Sequence, residues 1–244
     1  GSFDNPDKAA ADESNRRQFD EAMDVIQLAL TEERFAYHGE VYDLPPPGIP
    51  DRGGTVQELT LVPRPLHPFE TWQAITSPPT LEQVPRRGWG GVFWNNHPTF
   101  TKRNWDRFAE VFEEAHGRTL EPGEKRTLVR CVCVADTREE AMARVRPGHD
   151  EMWKFLGPYG WSKGYMGPDG KPAKAGLIPS LEESLEQKIW IVGSPDDVGQ
   201  QIEWYRDLLG VEDLLLFPMM PGDSYEAGEE QVHRLAADVL PKFD

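Results

Sequence analysis

Apolar residues spaced by three and four open the chain. Phe19, Met23, Ile26 and Leu30 form one stripe over residues 16–32, and Asp12-Glu13-Ser14 supplies a polar start. That spacing predicts an amphipathic helix. The run Phe35-Ala36-Tyr37-His38-Gly39-Glu40-Val41-Tyr42 then alternates, with Gly39 at its turn, and predicts a short hairpin. A Pro/Gly-rich loop over 45–54 and a short strand over 59–62 follow. After Pro63-Arg64-Pro65-Leu66-His67-Pro68 the rhythm changes. Short apolar runs at 70–75, 90–94, 126–136, 189–192 and 213–218 predict strands. Helical patterns lie between and after them, at 78–87, 102–116, 195–209 and 225–240. Thr137-Arg138-Glu139-Glu140 opens one more helix with a polar cap.

Strand and helix alternating over short connections predict parallel βαβ units and an α/β fold. About four of these strands are of barrel type, against the eight of a closed (β/α)8 barrel. The chain, residues 1–244, is expected to form a single domain. Residues 147–185, rich in aromatic and turn residues such as Pro168-Asp169-Gly170-Lys171-Pro172, are expected to form an insertion or lid within it.

Composition narrows the function. With 38% hydrophobic and 28% charged residues the chain is globular rather than disordered. A formal charge of −16 repels phosphate at long range, so neither nucleic acid nor an anionic membrane is an expected partner. No apolar stretch approaches the roughly 20 residues that span a bilayer. Gly1-Ser2-Phe3-Asp4-Asn5 lacks the basic start and apolar run of a signal peptide. Cys131 and Cys133, two apart on one strand, point to the same face, where disulfide geometry is hard to reach. Buried, unreactive thiols and a cytoplasmic setting are expected.

Candidate chemistry centres on Thr76-Ser77-Pro78-Pro79-Thr80. Ser77 suits an N-cap and Pro78 the first helical position. The amides of Thr80 and Leu81, beside the hydroxyls of Ser77 and Thr80, suit a phosphate, although capping alone also explains the residues. His97 follows Asn95-Asn96 at a strand end, where a barrel presents side chains to substrate; it reads either as a donor to a cofactor carbonyl or a peroxide oxygen, or as a surface-loop histidine. Trp153, Tyr159, Trp161 and Tyr165 read equally as pocket wall or as packing for the lid. Glu110, Glu113 and Glu114, and Glu182, Glu183 and Glu186, read as solvated helix faces rather than metal ligands. Ser194 in Gly193-Ser194-Pro195-Asp196-Asp197-Val198 reads as a structural cap.

Taken in order, the hairpin near Tyr37-His38-Gly39-Glu40, the strand end Ala74-Ile75-Thr76-Ser77-Pro78-Pro79-Thr80, Gly88, the Gly193 to Val198 segment and the terminal Ala236-Ala237-Asp238-Val239-Leu240-Pro241 resemble the second half of the bacterial luciferase-like flavin-dependent monooxygenases. The resemblance implies a TIM-type (β/α)8 barrel of the luciferase-like class, incomplete and lacking the first strands. It implies reduced FMN, or deazaflavin F420, as cofactor. Thr76, Ser77 and Thr80 are then placed at the flavin phosphate, and Phe93, Trp94 and Asn95 near the isoalloxazine. A small organic substrate, a flavin reductase and a homo- or hetero-dimer are the implied partners.

In that family roughly a hundred further residues supply the first half of the barrel, including a catalytic His with no counterpart in this sequence. Three expectations therefore stay open: a part of a longer protein, completion by a second chain, or a chain not catalytic by itself. No catalytic residue is assigned. The functional expectation is a flavin-dependent monooxygenase, with an F420-dependent reductase or a non-catalytic flavin-binding protein as alternatives.

Overall fold

The computed structural model describes residues 6–243 of the chain. The sequence predicts one domain over residues 1–244; the contacts group into two compact units, Gly1–Phe69 and Glu70–Asp244. The division falls just past Pro68, where the rhythm of the sequence changes.

In the first unit α1 runs over Pro6–Thr31, beginning ten residues before the expected start. Its stripe stays partly wet, with Phe19 45% and Ile26 46% exposed. The predicted hairpin forms from β1 (Tyr37–His38) and β2 (Asp43–Leu44). Glu21 on α1 pins its turn, accepting the backbone N–H groups of Glu40, Val41 and Tyr42 at 3.0, 2.9 and 3.1 Å. Gly39 is required there, because a Cβ would lie 2.2 Å from Glu21 Oε2. The expected loop over 45–54 holds a second small hairpin, β3 (Pro50–Asp51) with β4 (Gly54–Thr55). The expected strand over 59–62 reduces to one bridge between Leu59 and Phe35. Val62 is 81% exposed and precedes a proline, which has no N–H to donate to a ladder.

The second unit carries β5 (Trp72–Ala74), α2 (Pro78–Arg86), β6 (Gly90–Trp94), α3 (Pro98–His116), β7 (Arg126–Val134) and α4 (Arg138–Leu156). After an irregular stretch come α5 (Leu181–Glu186), β8 (Ile191–Gly193), α6 (Pro195–Leu209), β9 (Asp213–Phe217) and α7 (Tyr225–Arg234). The strands pair in the order β5-β6-β7-β8, with β9 also on β7, and every pair is parallel. Alternation of strand with capped helix is the local cause. Ser194 opens α6 through a capping box with Asp197, and Gly210 closes it in the left-handed region at φ 62°.

Register sorts the side chains into two faces, because paired residues of parallel strands point the same way. Phe93, Leu128 and Leu214 share the face covered by helices; Phe93 packs on Trp105 at 5.2 Å and Phe108 at 5.9 Å between ring centroids. Trp94, Val129 and Leu215 share the other face. Its Cys131 and Cys133 positions share one buried cluster with Trp153, Tyr165 and Leu181 of the 147–185 stretch. That stretch begins inside α4, which continues through Pro147. Towards β9 the same face stays open, with Leu215 50% and Phe217 53% exposed.

All nine residues of β7 are buried. Neighbouring residues of a strand present their backbone groups to opposite edges. Ala135 N–H goes to Gly193 O of β8 at 3.2 Å. Val134, facing the other way beyond the end of β9, has no strand beside it. The buried carboxamide of Gln231 on α7 fills that place: Val134 N–H donates to Gln231 Oε1 at 2.7 Å, and Gln231 Nε2 donates to Val134 O at 2.9 Å. Gln231→Ala therefore leaves two buried backbone groups without partners. The expected loss is on the order of 2–4 kcal/mol of unfolding free energy, measured by urea denaturation, whereas a loss below about 0.5 kcal/mol would contradict the pairing.

Candidate functional site

The turn at Thr76 to Thr80 lies between β5 and α2 and is closed on itself. Thr80 Oγ1 accepts the N–H groups of Thr76 at 3.2 Å and Ser77 at 3.1 Å, and donates to Ser77 O at 2.8 Å. Ser77 Oγ accepts Thr80 N–H at 3.5 Å, and Leu81 N–H goes to Ser77 O at 3.1 Å. The amides of Thr80 and Leu81, expected to be free, are thus taken within the turn, and Pro78 and Pro79 have none to offer. What the turn leaves to an outside acceptor is the hydroxyls of Thr76 and Ser77; Ser77 Oγ lies 3.3 Å from Thr80 Oγ1, whose own proton goes to Ser77 O.

Beside it is a cavity of about 330 Å³ on the open face of the sheet, lined by Thr76, Val92, Trp94, Trp161 and Lys163 among others. Trp94 and Trp161 meet edge to face, centroids 5.1 Å apart. The indole Nε1 of Trp94 is buried and has no hydrogen-bond partner among the described residues, a donor left unsatisfied in the wall. Thr76 and Trp94 line the same cavity, with Ser77 and Thr80 next to Thr76 in the turn. Phe93 is turned to the helix face and does not line the cavity. Asn95 takes φ 53°, and its buried carboxamide finds no partner among the described residues.

A second, larger cleft of about 1000 Å³ lies beyond the 95–97 turn, lined by His97, Tyr165, Met166, Lys174, Leu177 and Glu186 among others. The wall between the two depends on Gly164, where a Cβ would lie 2.3 Å from Asn95 O. Gly164 O accepts His97 N–H at 2.6 Å. His97 is the N-cap of α3, whose first residue is Pro98, so the helix starts four residues before its predicted start at 102. The aromatic set divides: Tyr159 and Trp161 line the smaller cavity, while Trp153 and Tyr165 are buried together at 5.0 Å.

These features match a known family. The family model of luciferase-like monooxygenases matches residues 5–212. The chain belongs to that family. The luciferase-like chain is similar in fold to the oxygenating constituent of 3,6-diketocamphane monooxygenase from the CAM plasmid of Pseudomonas putida, whose structure is in complex with FMN. The TM-score is 0.69 at 20% identity, over 91% of this chain and 62% of that one. The monooxygenase RslO1 from Streptomyces bottropensis gives 0.70 at 18% identity, over 98% and 66%. The coenzyme F420-dependent tetrahydromethanopterin reductase from Methanopyrus kandleri gives 0.57 at 15%, over 93% and 63%. A search of curated protein sequences finds no match. The luciferase-like chain thus spans about two thirds or less of the length of these structures, and its parallel sheet is an unclosed part of their TIM-type barrel.

Lys163 and Gly164 lie in the glycine-flanked run Gly157-Pro158-Tyr159-Gly160-Trp161-Ser162-Lys163-Gly164, whose glycines are the one local signal of a close backbone approach. The acidic helix faces behave as surface. Glu110 and Glu114 pair with Arg107, and Glu182 with Arg146. No group of three or more metal-ligating side chains occurs among the described residues. No helix there is long and apolar enough to cross a membrane.

Both thiols are free and buried. Burial pushes Cys131 up to about 12 and Cys133 up to about 11, which removes the thiolate that reacts. In a test with Ellman's reagent at mildly alkaline pH, the native luciferase-like chain is expected to yield no fast-reacting thiol, and both thiols should react in denaturant. A fast phase in the native protein would show that one thiol is activated.

Proposed function

We propose that this chain forms the flavin-phosphate side of a flavin-dependent monooxygenase that uses reduced FMN and oxygen on a small organic substrate. The observation that carries the reading is the meeting of Thr76, Lys163 and two indoles at one cavity, with the Ser77 hydroxyl in the turn beside it. Planar indole faces suit a fused ring, and the unpaired Trp94 Nε1 suits a ring carbonyl. The hydroxyls of Thr76 and Ser77, the latter positioned by Thr80, suit a phosphate together with the Lys163 ammonium, since a phosphate needs a local cation against a net charge of −16. With about 330 Å³ the cavity is at the small end for a cofactor site, in keeping with a site shared with residues outside this chain.

When bound, reduced flavin supplies the electrons that activate oxygen for transfer of one atom to substrate. The chain's own residues hold the phosphate arm, wall one side of the ring and keep water away from it. The likeness to an F420-dependent reductase supports a second reading with deazaflavin F420. The strongly acidic chain favours FMN, because the F420 tail adds carboxylates. A flavin reductase that delivers reduced FMN and a dimeric assembly complete the proposal.

Flavin fluorescence quenching tests the site. FMN should bind the wild-type chain, and Ser77→Ala with Thr80→Ala should weaken it by about tenfold or more, as expected for losing charge-assisted hydrogen bonds. Lys163→Ala should weaken it by a similar factor. Riboflavin, which has no phosphate, should bind all three proteins alike. Unchanged FMN affinity in the double variant would remove the phosphate assignment. FMN binding with oxygen consumption at background would instead favour a non-catalytic flavin-binding protein.

A further inference from the structure

The residue that lines the larger cleft with the most constrained chemistry is His97. Thr99 N–H donates to its Nδ1 at 3.2 Å, so Nδ1 carries no proton and the neutral ring must hold its proton on Nε2. Adding a second proton would abolish this cap and set a positive charge at the positive end of α3. Burial, and then the nearby Arg130 guanidinium, hold His97 below the usual histidine range. The ring's Nε2–H has no protein partner among the described residues, and His97 borders the 1000 Å³ cleft as well as an adjoining one of about 410 Å³ that shares Glu186 and Gln187.

The walls state what ligand fits. Met166, Pro168, Pro172, Ala173, Leu177 and Pro179 offer apolar surface. The charged groups are Asp169, Glu183 and Glu186 against Lys174, three negative to one positive, which disfavours a carboxylate or phosphate ligand. A donor that cannot become an acceptor, in an apolar cleft with negative walls, selects an uncharged compound bearing an oxygen acceptor. We infer that His97 is a fixed, neutral N–H donor to the carbonyl oxygen of an uncharged organic ligand seated in this cleft. The inference stands apart from the flavin reading, since every residue it uses lies away from the Thr76 turn and acts without cofactor.

Two substitutions separate the roles of the ring. His97→Asn keeps an acceptor near the Nδ1 position, and asparagine is a preferred N-cap, but it removes the distal donor. His97→Gln keeps a neutral N–H near the Nε2 position. Binding is measured on flavin-free protein with cyclohexanone, menthone and acetophenone, each carrying a ¹³C carbonyl, by calorimetry and isotope-edited infrared spectroscopy. At least one ketone should bind the wild type with its carbonyl stretch moved to lower frequency. His97→Asn should lose that shift and bind about threefold to tenfold more weakly, the worth of one neutral hydrogen bond. His97→Gln should restore the shift. Cyclohexanecarboxylate should bind more weakly than cyclohexanone. Nitrogen NMR of the free protein should show Nδ1 unprotonated at neutral pH.

The inference is overturned if none of the three ketones binds. It is equally overturned if the carbonyl stretch is unmoved in the wild type or survives in a folded His97→Asn protein, or if the NMR shows the opposite tautomer. Because FMN is absent throughout, these outcomes do not depend on whether the phosphate site is correct.

Discussion

A guanidinium buried without a carboxylate organises the centre of the larger unit. Arg130, in the middle of β7, is fully buried, and removing such a charge from water costs several kcal/mol unless neighbours replace its hydration. Here they are dipoles. Arg130 Nε donates to Tyr205 Oη at 2.9 Å, one terminal nitrogen to Val129 O at 2.9 Å and the other to Asn96 O at 3.0 Å; the Tyr205 ring also lies 4.9 Å from the guanidinium carbon. Tyr205 in turn donates to Lys188 O. One side chain thereby ties β7 to α6, to the segment before β8 and to the turn after β6. Satisfying the charge requires that turn to hold a carbonyl inward, and the left-handed Asn95 is how the backbone brings Asn96 O there.

The consequences reach both cavities. Held from below by Arg130, the 95–97 turn is held from the side by Gly164, whose carbonyl takes His97 N–H. Trp94 immediately before the turn faces the smaller cavity, and His97 immediately after it borders the larger cleft. Burial, and after it the same Arg130 charge, disfavour a second proton on His97. The guanidinium that fixes the turn thus also contributes to the protonation state of the cleft's donor.

Elements with a strong local pattern were legible in the sequence. The strand over 90–94 and the helix over 195–209 appear with the predicted bounds, because a buried run and a Ser-Pro-Asp-Asp cap are both local signals. The start of α3 was missed because His-Pro at 97–98 is an unusual cap and first turn, and its physical test, Nδ1 accepting Thr99 N–H, exists only in three dimensions. The Thr76 to Thr80 turn was found, but its amides were assigned as free. Ser77 Oγ takes the Thr80 amide and Ser77 O that of Leu81, while Thr80 Oγ1 accepts the Thr76 and Ser77 amides, a closure not readable from a pentapeptide. Phe93 and Trp94 illustrate a different limit. Alternation says that they face opposite ways, yet only the packing of Phe93 on Trp105 and Phe108 says which way is inward. Lys163 and Gly164 were hidden because their role is set by contact with a turn almost 70 positions earlier, between Gly164 and Asn95.

The two cavities stand differently towards the unclosed sheet. The smaller one opens on the face that carries Leu215 and Phe217, both about half exposed; a closed barrel fills such positions with side chains from opposite strands. Its walls are therefore those most altered by whatever covers that face, and a flavin bound there would itself cover part of it. The larger cleft draws its walls from the start of α3, from α5 and from the irregular stretch between α4 and α5, all within the second unit. Tyr165 anchors that stretch in the buried core beside Trp153 of α4 and Leu181 of α5, and Ser184 Oγ bridges Tyr165 Oη at 2.6 Å and His149 Nε2 at 2.8 Å. Its shape follows from contacts already satisfied in this chain, so the donor at His97 is preorganised without depending on closure of the barrel.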